Sequence, residues 1–242
     1  MEIEIYPGED VVSEKAAAMI AGRVREAVSS RGRFVMALSG GHTPWMMLRL
    51  LADAELPWDK VYIFQVDERI APARAEDRNL MHLRETLLSH APLPPEHIYA
   101  MPVEAPEPEF AAQDYAETLR TVAGTPCVLD LVHLGLGADG HTASLVPDDP
   151  VLDIRNVDVA TTTYPYQGRR RMSLTFPIIN RARHILWLVT GREKAGVLAR
   201  LRAGDQSIPA GRVSRGQALI LADKAAAGQS DAVNGETQNA NQ

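Results

Sequence analysis

An aspartate and a histidine stand two residues apart in Gly135-Leu136-Gly137-Ala138-Asp139-Gly140-His141-Thr142-Ala143-Ser144-Leu145, a glycine-rich stretch directly after an apolar run. Imidazole is the side chain whose ordinary pKa lies nearest neutrality, so His141 is suited to general-base work. A carboxylate as close as Asp139 can orient the ring and stabilise the imidazolium. Of the other histidines, His133 and His184 fall inside strand-like runs and read as satisfied core or edge groups. His82, His90 and His97 read as surface positions.

Two further segments carry charge or glycine just after apolar runs. Ser39-Gly40-Gly41-His42-Thr43-Pro44 combines two glycines, which let backbone approach a ligand, with the start of a helix whose free N–H groups favour an anion. A plain Gly-Gly turn capped by Thr43 would use the same residues. Asp67-Glu68-Arg69 places three charges after a buried-looking strand, which is costly unless they are paired or exposed at a site. Arg69 could clamp a phosphate through two N–H groups, and Asp67 or Glu68 could accept from sugar hydroxyls or hold the arginine. A local salt-bridge cluster is the alternative. Lys194, in Thr190-Gly191-Arg192-Glu193-Lys194, is one of only four lysines and could face the same edge or simply start a helix. Arg169–Arg171 could add a cation or cap an exposed strand.

Gly135, Gly137 and Gly140 also spell the GxGxxG of dinucleotide sites. That motif should open a helix of normal length, and Pro147 and Pro150 follow too soon. No GxSxG elbow occurs, and the single cysteine, Cys127, rules out a cysteine-type zinc site. His141 and Asp139 have no third metal ligand nearby in sequence.

These loops need a scaffold, and the rest of the chain reads as one. Short aliphatic or β-branched runs predict strands at Ile3–Tyr6, Phe34–Leu38, Val61–Val66, Leu129–Gly135, Val157–Thr163, Arg171–Thr175, His184–Val189 and Ala218–Leu221. Helices are predicted at Val12–Ser29, Pro44–Ala52 with Thr43 as N-cap, Asn79–Ser89, Glu109–Val122 and Arg192–Ala203. Alternating strand and helix predicts an α/β fold: a mostly parallel open sheet, Rossmann-like, with helices on both faces. Ligands of such sheets sit beyond the carboxyl ends of the strands, where the three loops lie. Ala91–Pro108, with six prolines, reads as a surface loop around a short segment, His97–Met101. One catalytic domain is expected over residues 1–225. Residues 226–242, nearly devoid of apolar side chains beyond Gly228, are expected to be a disordered tail.

The 242 residues carry a net charge of −6, so no basic surface points to nucleic acid, and an anionic substrate must be met by local positive charge. One cysteine, no leader-like N-terminus and no run of about 18 apolar residues lead to the expectation of a cytoplasmic protein without membrane attachment.

Taken together, in order and spacing, the three loops resemble those of the 6-phosphogluconolactonases, within the glucosamine-6-phosphate isomerase/6-phosphogluconolactonase family, over about residues 1–225. The resemblance implies an NagB-type fold with a few additional strands. It also implies hydrolysis of 6-phosphogluconolactone, a small sugar-phosphate lactone, to 6-phosphogluconate in the oxidative pentose phosphate pathway, with no cofactor and no metal. His141 would be the base and Asp139 its partner or a substrate ligand. Arg69, Lys194 and the Gly40–Thr43 loop, with Gly41 and His42, would hold the phosphate. Asp67, Gly137 and Gly140 complete the expected substrate contacts. His42 departs from the serine often found there, leaving backbone N–H contacts intact. A monomer or small homo-oligomer is expected.

Two other readings compete with this one. The related glucosamine-6-phosphate deaminases carry a glutamate before the proline that follows the DGH histidine, where this chain has Leu145-Val146-Pro147. They also tend to have an aromatic residue at Arg69. A sugar-phosphate-sensing regulator would need a DNA-binding element, for which a chain opening on the strand Ile3–Tyr6 leaves no room.

Overall fold

Five consecutive residues of Phe34–Leu38 are buried, on both faces of the strand they form, and that is the signature of a parallel sheet covered on two sides. In the computed structural model, which describes residues 1–41 and 43–229, seven strands form such a sheet: β1 (Glu2–Tyr6), β2 (Phe34–Leu38), β3 (Val61–Gln65), β5 (Ile98–Tyr99), β6 (Leu131–Leu134), β9 (His184–Val189) and β10 (Ala218–Asp223). Their order is β1-β10-β9-β6-β2-β3-β5, and every pairing is parallel. This is the expected α/β architecture.

The strand period of two divides the core. Val35 and Ala37 of β2 join one apolar cluster, with Val132, Leu134 and the fully buried Trp187, under helix α4 (Pro108–Ala123). Phe34, Met36 and Leu38 join the other, under helices α1 (Glu9–Arg31) and α2 (Pro44–Ala52). Helix α1 contributes Val12, Ala16, Ile20 and Val24 and ends at Gly32 with φ of 78°. Each such buried aliphatic side chain contributes roughly 1.5–3 kcal/mol.

The expected strands Val157–Thr163 and Arg171–Thr175 lie outside the main sheet. As β7 (Val159–Thr161) and β8 (Arg171–Leu174) they join β4 (Asp67–Arg69) in a three-stranded antiparallel sheet, ordered β4-β8-β7. Asp67-Glu68-Arg69 is therefore a strand as well as a charged segment. The proline-rich loop contains β5, which pairs with β3 through Ile98 and Tyr99, and it buries Met101 and Val103. Helix α3 (Asn79–Leu83) runs on through a π-helical turn to Leu88. A 3₁₀ turn at Arg192–Lys194 leads into α6 (Ala195–Ala203). Thr43 does not act as the expected N-cap. Its φ and ψ, −53° and −41°, are already helical, and its side chain makes no cap bond, with Pro44 starting the helix instead.

Beyond β10, residues 224–228 turn back and bury Ala226. The expectation for residues 230–242 lies outside the described residues, as does that for His42. Among the described residues no helix is long and apolar enough to cross a membrane.

The topology fixes where a ligand can sit. From β2 the chain proceeds outward to β3 and β5, then returns to β6 and proceeds the other way to β9 and β10. Loops leaving β2 and β6 therefore diverge and open a crevice at the carboxyl ends of these strands.

Candidate active site

A cleft of about 380 Å³ occupies that crevice. Ser39, Gly40, Gly41, Thr43 and Pro44 line it from the loop after β2, and Gly135–Gly137, His141 and Ala143 from the loop after β6. Thr190, Glu193 and Lys194 come from the loop after β9, and Asp67, Arg69 and Arg171 from the antiparallel sheet. Eight of the expected site residues thus meet in one cavity: Gly40, Gly41, Thr43, Asp67, Arg69, Gly137, His141 and Lys194.

The histidine is held from behind. Asp139 Oδ1 lies 2.6 Å from His141 Nδ1 and also accepts from the His141 backbone N–H at 3.1 Å. Nδ1 is thereby occupied, leaving Nε2 as the nitrogen free for the cleft. Asp139 itself stands outside the lining. Its Oδ2 accepts from the hydroxyl of Tyr166 at 2.9 Å. Partial burial opposes its charge, but the neighbouring His141 and the hydrogen bonds from His141 and Tyr166 outweigh that and hold its pKa below the usual carboxylate range. Burial and the same carboxylate push the Tyr166 pKa up, so it stays a donor.

Two glycines make this geometry possible. A Cβ on Gly137 would come within 2.0 Å of His141 Nδ1, so the ring lies directly over that residue. Gly140, also outside the lining, turns the chain with φ of 86°, and a Cβ there would strike Ile208. Residues 135–149 contain no helix, which removes the dinucleotide reading of the glycine pattern.

The charged triplet divides its work by strand parity. Glu68 points into the protein and is fully buried. It accepts from the backbone N–H groups of Arg69, Asn79 and Leu80, each at 2.8 Å, and lies 3.3 Å from the buried Arg78 guanidinium. It therefore fixes the start of α3 and does not meet a ligand. Asp67 lines the cleft but is already engaged: its Oδ2 accepts from Ser144 at 2.6 Å, which ties the β4 strand to the Asp139–His141 loop. Arg69 donates to Asn79 Oδ1. That asparagine packs so closely over Gly40 that a Cβ there would overlap it.

Arg171 is the residue the sequence reading did not separate from its neighbours. Arg169 pairs with Asp77 and Arg170 with Glu109, both at the surface. Arg171 is buried in the cleft wall, directly opposite Arg69 in the β4–β8 register. Its Nη2 donates to Gln167 at 3.1 Å, its guanidinium lies 5.0 Å from the Tyr166 ring centre, and its Nε has no partner. Burial lowers its pKa, although Asp67 works the other way. Among the described residues, Arg69, Arg171 and Lys194 share one cleft and none forms a salt bridge.

His133 differs from its expected character as a satisfied core group. It is 1% exposed on β6, lines the cleft, and neither ring nitrogen has a partner among the described residues. Among the described residues, no group of three or more His, Cys, Asp or Glu side chains is arranged to hold a metal ion.

Fold and site together define a doubly wound α/β protein whose switch-point cleft joins an Asp–His pair to three cations that form no salt bridge among the described residues. A family profile described as glucosamine-6-phosphate isomerases/6-phosphogluconolactonase matches residues 7–221, and the chain belongs to that family. It is 35% identical over 233 residues to a 6-phosphogluconolactonase of Synechocystis sp., covering 93% of this chain and 96% of the relative. It is also 35% identical over 240 residues to one of Mycobacterium tuberculosis, with the same coverage. The solved structure of 6-phosphogluconolactonase from Trypanosoma cruzi superposes with a TM-score of 0.84 at 26% identity, covering 96% of this chain and 97% of that one.

Proposed function

We propose that this protein hydrolyses 6-phospho-D-glucono-1,5-lactone to 6-phospho-D-gluconate, the lactonase step of the oxidative pentose phosphate pathway. The observation that carries the reading is the pairing, within one cleft, of an oriented histidine with three cations that form no salt bridge among the described residues. The first serves ester hydrolysis and the second holds a phosphate.

His141 Nε2 takes a proton from water as its oxygen attacks the lactone carbonyl carbon. Asp139, ionised and fixed on Nδ1, stabilises the imidazolium that results. The carbonyl oxygen becomes a tetrahedral oxyanion, which backbone N–H groups of the glycine-rich loop are suited to meet. Collapse breaks the bond to the ring oxygen, and the imidazolium returns the proton to it. One water is consumed and one carboxylic acid appears, which ionises at neutral pH. A general base of this kind contributes about 10²–10⁴-fold.

Arg69, Arg171 and Lys194, with the backbone of Gly40, Gly41 and Thr43 at the start of α2, hold the phosphate. A dianion there also relieves the juxtaposition of two like-charged guanidinium groups. Binding energy at the phosphate places the carbonyl against His141. The deaminase reading is disfavoured by Leu145-Val146-Pro147, which lacks the expected glutamate. Acceleration of lactone hydrolysis over the spontaneous rate, with freshly generated 6-phosphogluconolactone near pH 7, tests the proposal. No acceleration would overturn it.

A further inference from the structure

We infer that His133 is a substrate-contacting residue, which hydrogen-bonds the phosphate end of the ligand from the floor of the cleft and so helps the protein select phosphorylated substrates. The inference rests on the lactonase reading for the ligand's identity, but the geometry stands independently of it.

Buried polar atoms in folded proteins almost always have partners, because an unpaired one costs about 1–3 kcal/mol. His133 is 1% exposed and leaves both Nδ1 and Nε2 unpaired. Most such side chains sit in closed cores. This one lines the open cleft that holds the site's cations, where a bound ligand would supply the missing partner. Its neighbours identify which end of a ligand that would be. Strand β6, which carries His133, lies between β2 and β9 in the sheet. The loops that leave those two strands carry Gly40, Gly41 and Thr43 on one side and Thr190 and Lys194 on the other, and all of them line the same cleft. His133 alternates with Val132 and Leu134, whose side chains enter the α4-side core, so its own side chain projects to the α2 side of the sheet.

Burial pulls its pKa down to about 4. At neutral pH the ring is therefore uncharged, with one N–H to donate and one lone pair to accept. An N–H suits a phosphate oxygen. The remaining nitrogen suits a bridging water or a substrate hydroxyl. A neutral donor adds to the cations Arg69, Arg171 and Lys194 without increasing their mutual repulsion.

The imidazole then has opposite effects in the free and bound protein, and this gives a signature that a merely structural residue lacks. Replacing it with an apolar side chain removes two unpaired atoms from the free protein and one ligand contact from the complex. The variants are His133→Leu, which abolishes the donor, and His133→Asn, which keeps one. Binding of 6-phosphogluconate, inorganic phosphate and gluconate is measured by calorimetry on wild type and both variants, with thermal melts of each without ligand. The expected result is that His133→Leu weakens 6-phosphogluconate and phosphate by roughly tenfold, as for a lost hydrogen bond to a charged group. It should leave gluconate little changed and raise the melting temperature of the free protein, and His133→Asn should fall between. Wild-type affinity for 6-phosphogluconate in His133→Leu would overturn the inference while leaving the lactonase reading intact. A wild-type protein that neither binds these phosphates nor hydrolyses the lactone would overturn both. Wild-type hydrolysis with an unaltered preference for phosphorylated over unphosphorylated lactone in His133→Leu would overturn this inference alone.

Discussion

Arg69 on β4 and Arg171 on β8 are directly opposed in an antiparallel register, so two arginines share the wall of one cleft, and neither forms a salt bridge among the described residues. Opposed like charges destabilise a strand pair. The arrangement is stabilised when an anion binds between them, and inorganic phosphate should accordingly raise the melting temperature of the free protein. Arg171→Ala and Arg69→Ala should each raise KM for the phosphorylated lactone by at least tenfold with a smaller change in kcat. Steady-state kinetics of both variants test this, and an unchanged KM in either would mean that that arginine serves the fold alone.

Asp139→Asn should lower kcat strongly and leave KM near its original value. The substitution keeps the size of the side chain but removes the charge that stabilises the imidazolium, and it replaces one of the two acceptor oxygens shared between His141 and Tyr166 by an N–H donor. A variant that retained wild-type kcat would show that His141 needs no carboxylate partner.

Glu68 carries its effect through stability. It accepts three backbone N–H groups and faces the buried Arg78. Glu68→Ala leaves that guanidinium without its buried counter-charge, and such losses cost about 3–5 kcal/mol. Equilibrium unfolding in urea measures it. A loss below about 1 kcal/mol would mean that Glu104, the other carboxylate on Arg78, suffices.

The scaffold was legible because its strands are short, aliphatic and separated by amphipathic helices, and because the switch-point rule says where their loops must converge. His141, Asp139, Arg69 and Lys194 were legible for the same reason: each follows an apolar run closely. What stayed hidden depends on pairings between distant segments. Nothing in Arg169-Arg170-Arg171 marks the third arginine as the buried one, since that follows from its register with β4. Tyr166 reaches Asp139 from 27 residues away. Asn79 reads as a helix start, and only the fold lays it over Gly40. The split between Asp67, which lines the cleft, and Glu68, which anchors α3, required knowing that the triplet is itself a strand. His133 reads as core from its position in an apolar strand, and its lack of partners emerges only with three-dimensional packing.

The buried imidazole also makes stability depend on pH. In the unfolded chain His133 titrates near its ordinary value of about 6.5, whereas in the fold its pKa lies at about 4. Between those limits the unfolded state binds more protons, so stability falls as the pH drops from about 6.5 to about 4 and is fully present above that window. The contribution is at most roughly 3 kcal/mol. Unfolding free energies across that range should show a slope that is reduced in His133→Leu. An identical slope in the variant would assign the acid sensitivity to other groups.

The proposed role of His141, activating water against a phosphorylated lactone, is tested directly by comparing hydrolysis of that lactone by wild type and by His141→Ala at pH 6.5–7.5. A clear acceleration over the spontaneous rate is expected for wild type and a loss of about 10²–10⁴-fold in the variant, with phosphate binding retained because Arg69, Arg171 and Lys194 are untouched. A variant that keeps more than about a tenth of the wild-type rate, a loss well short of what a general base supplies, would contradict it.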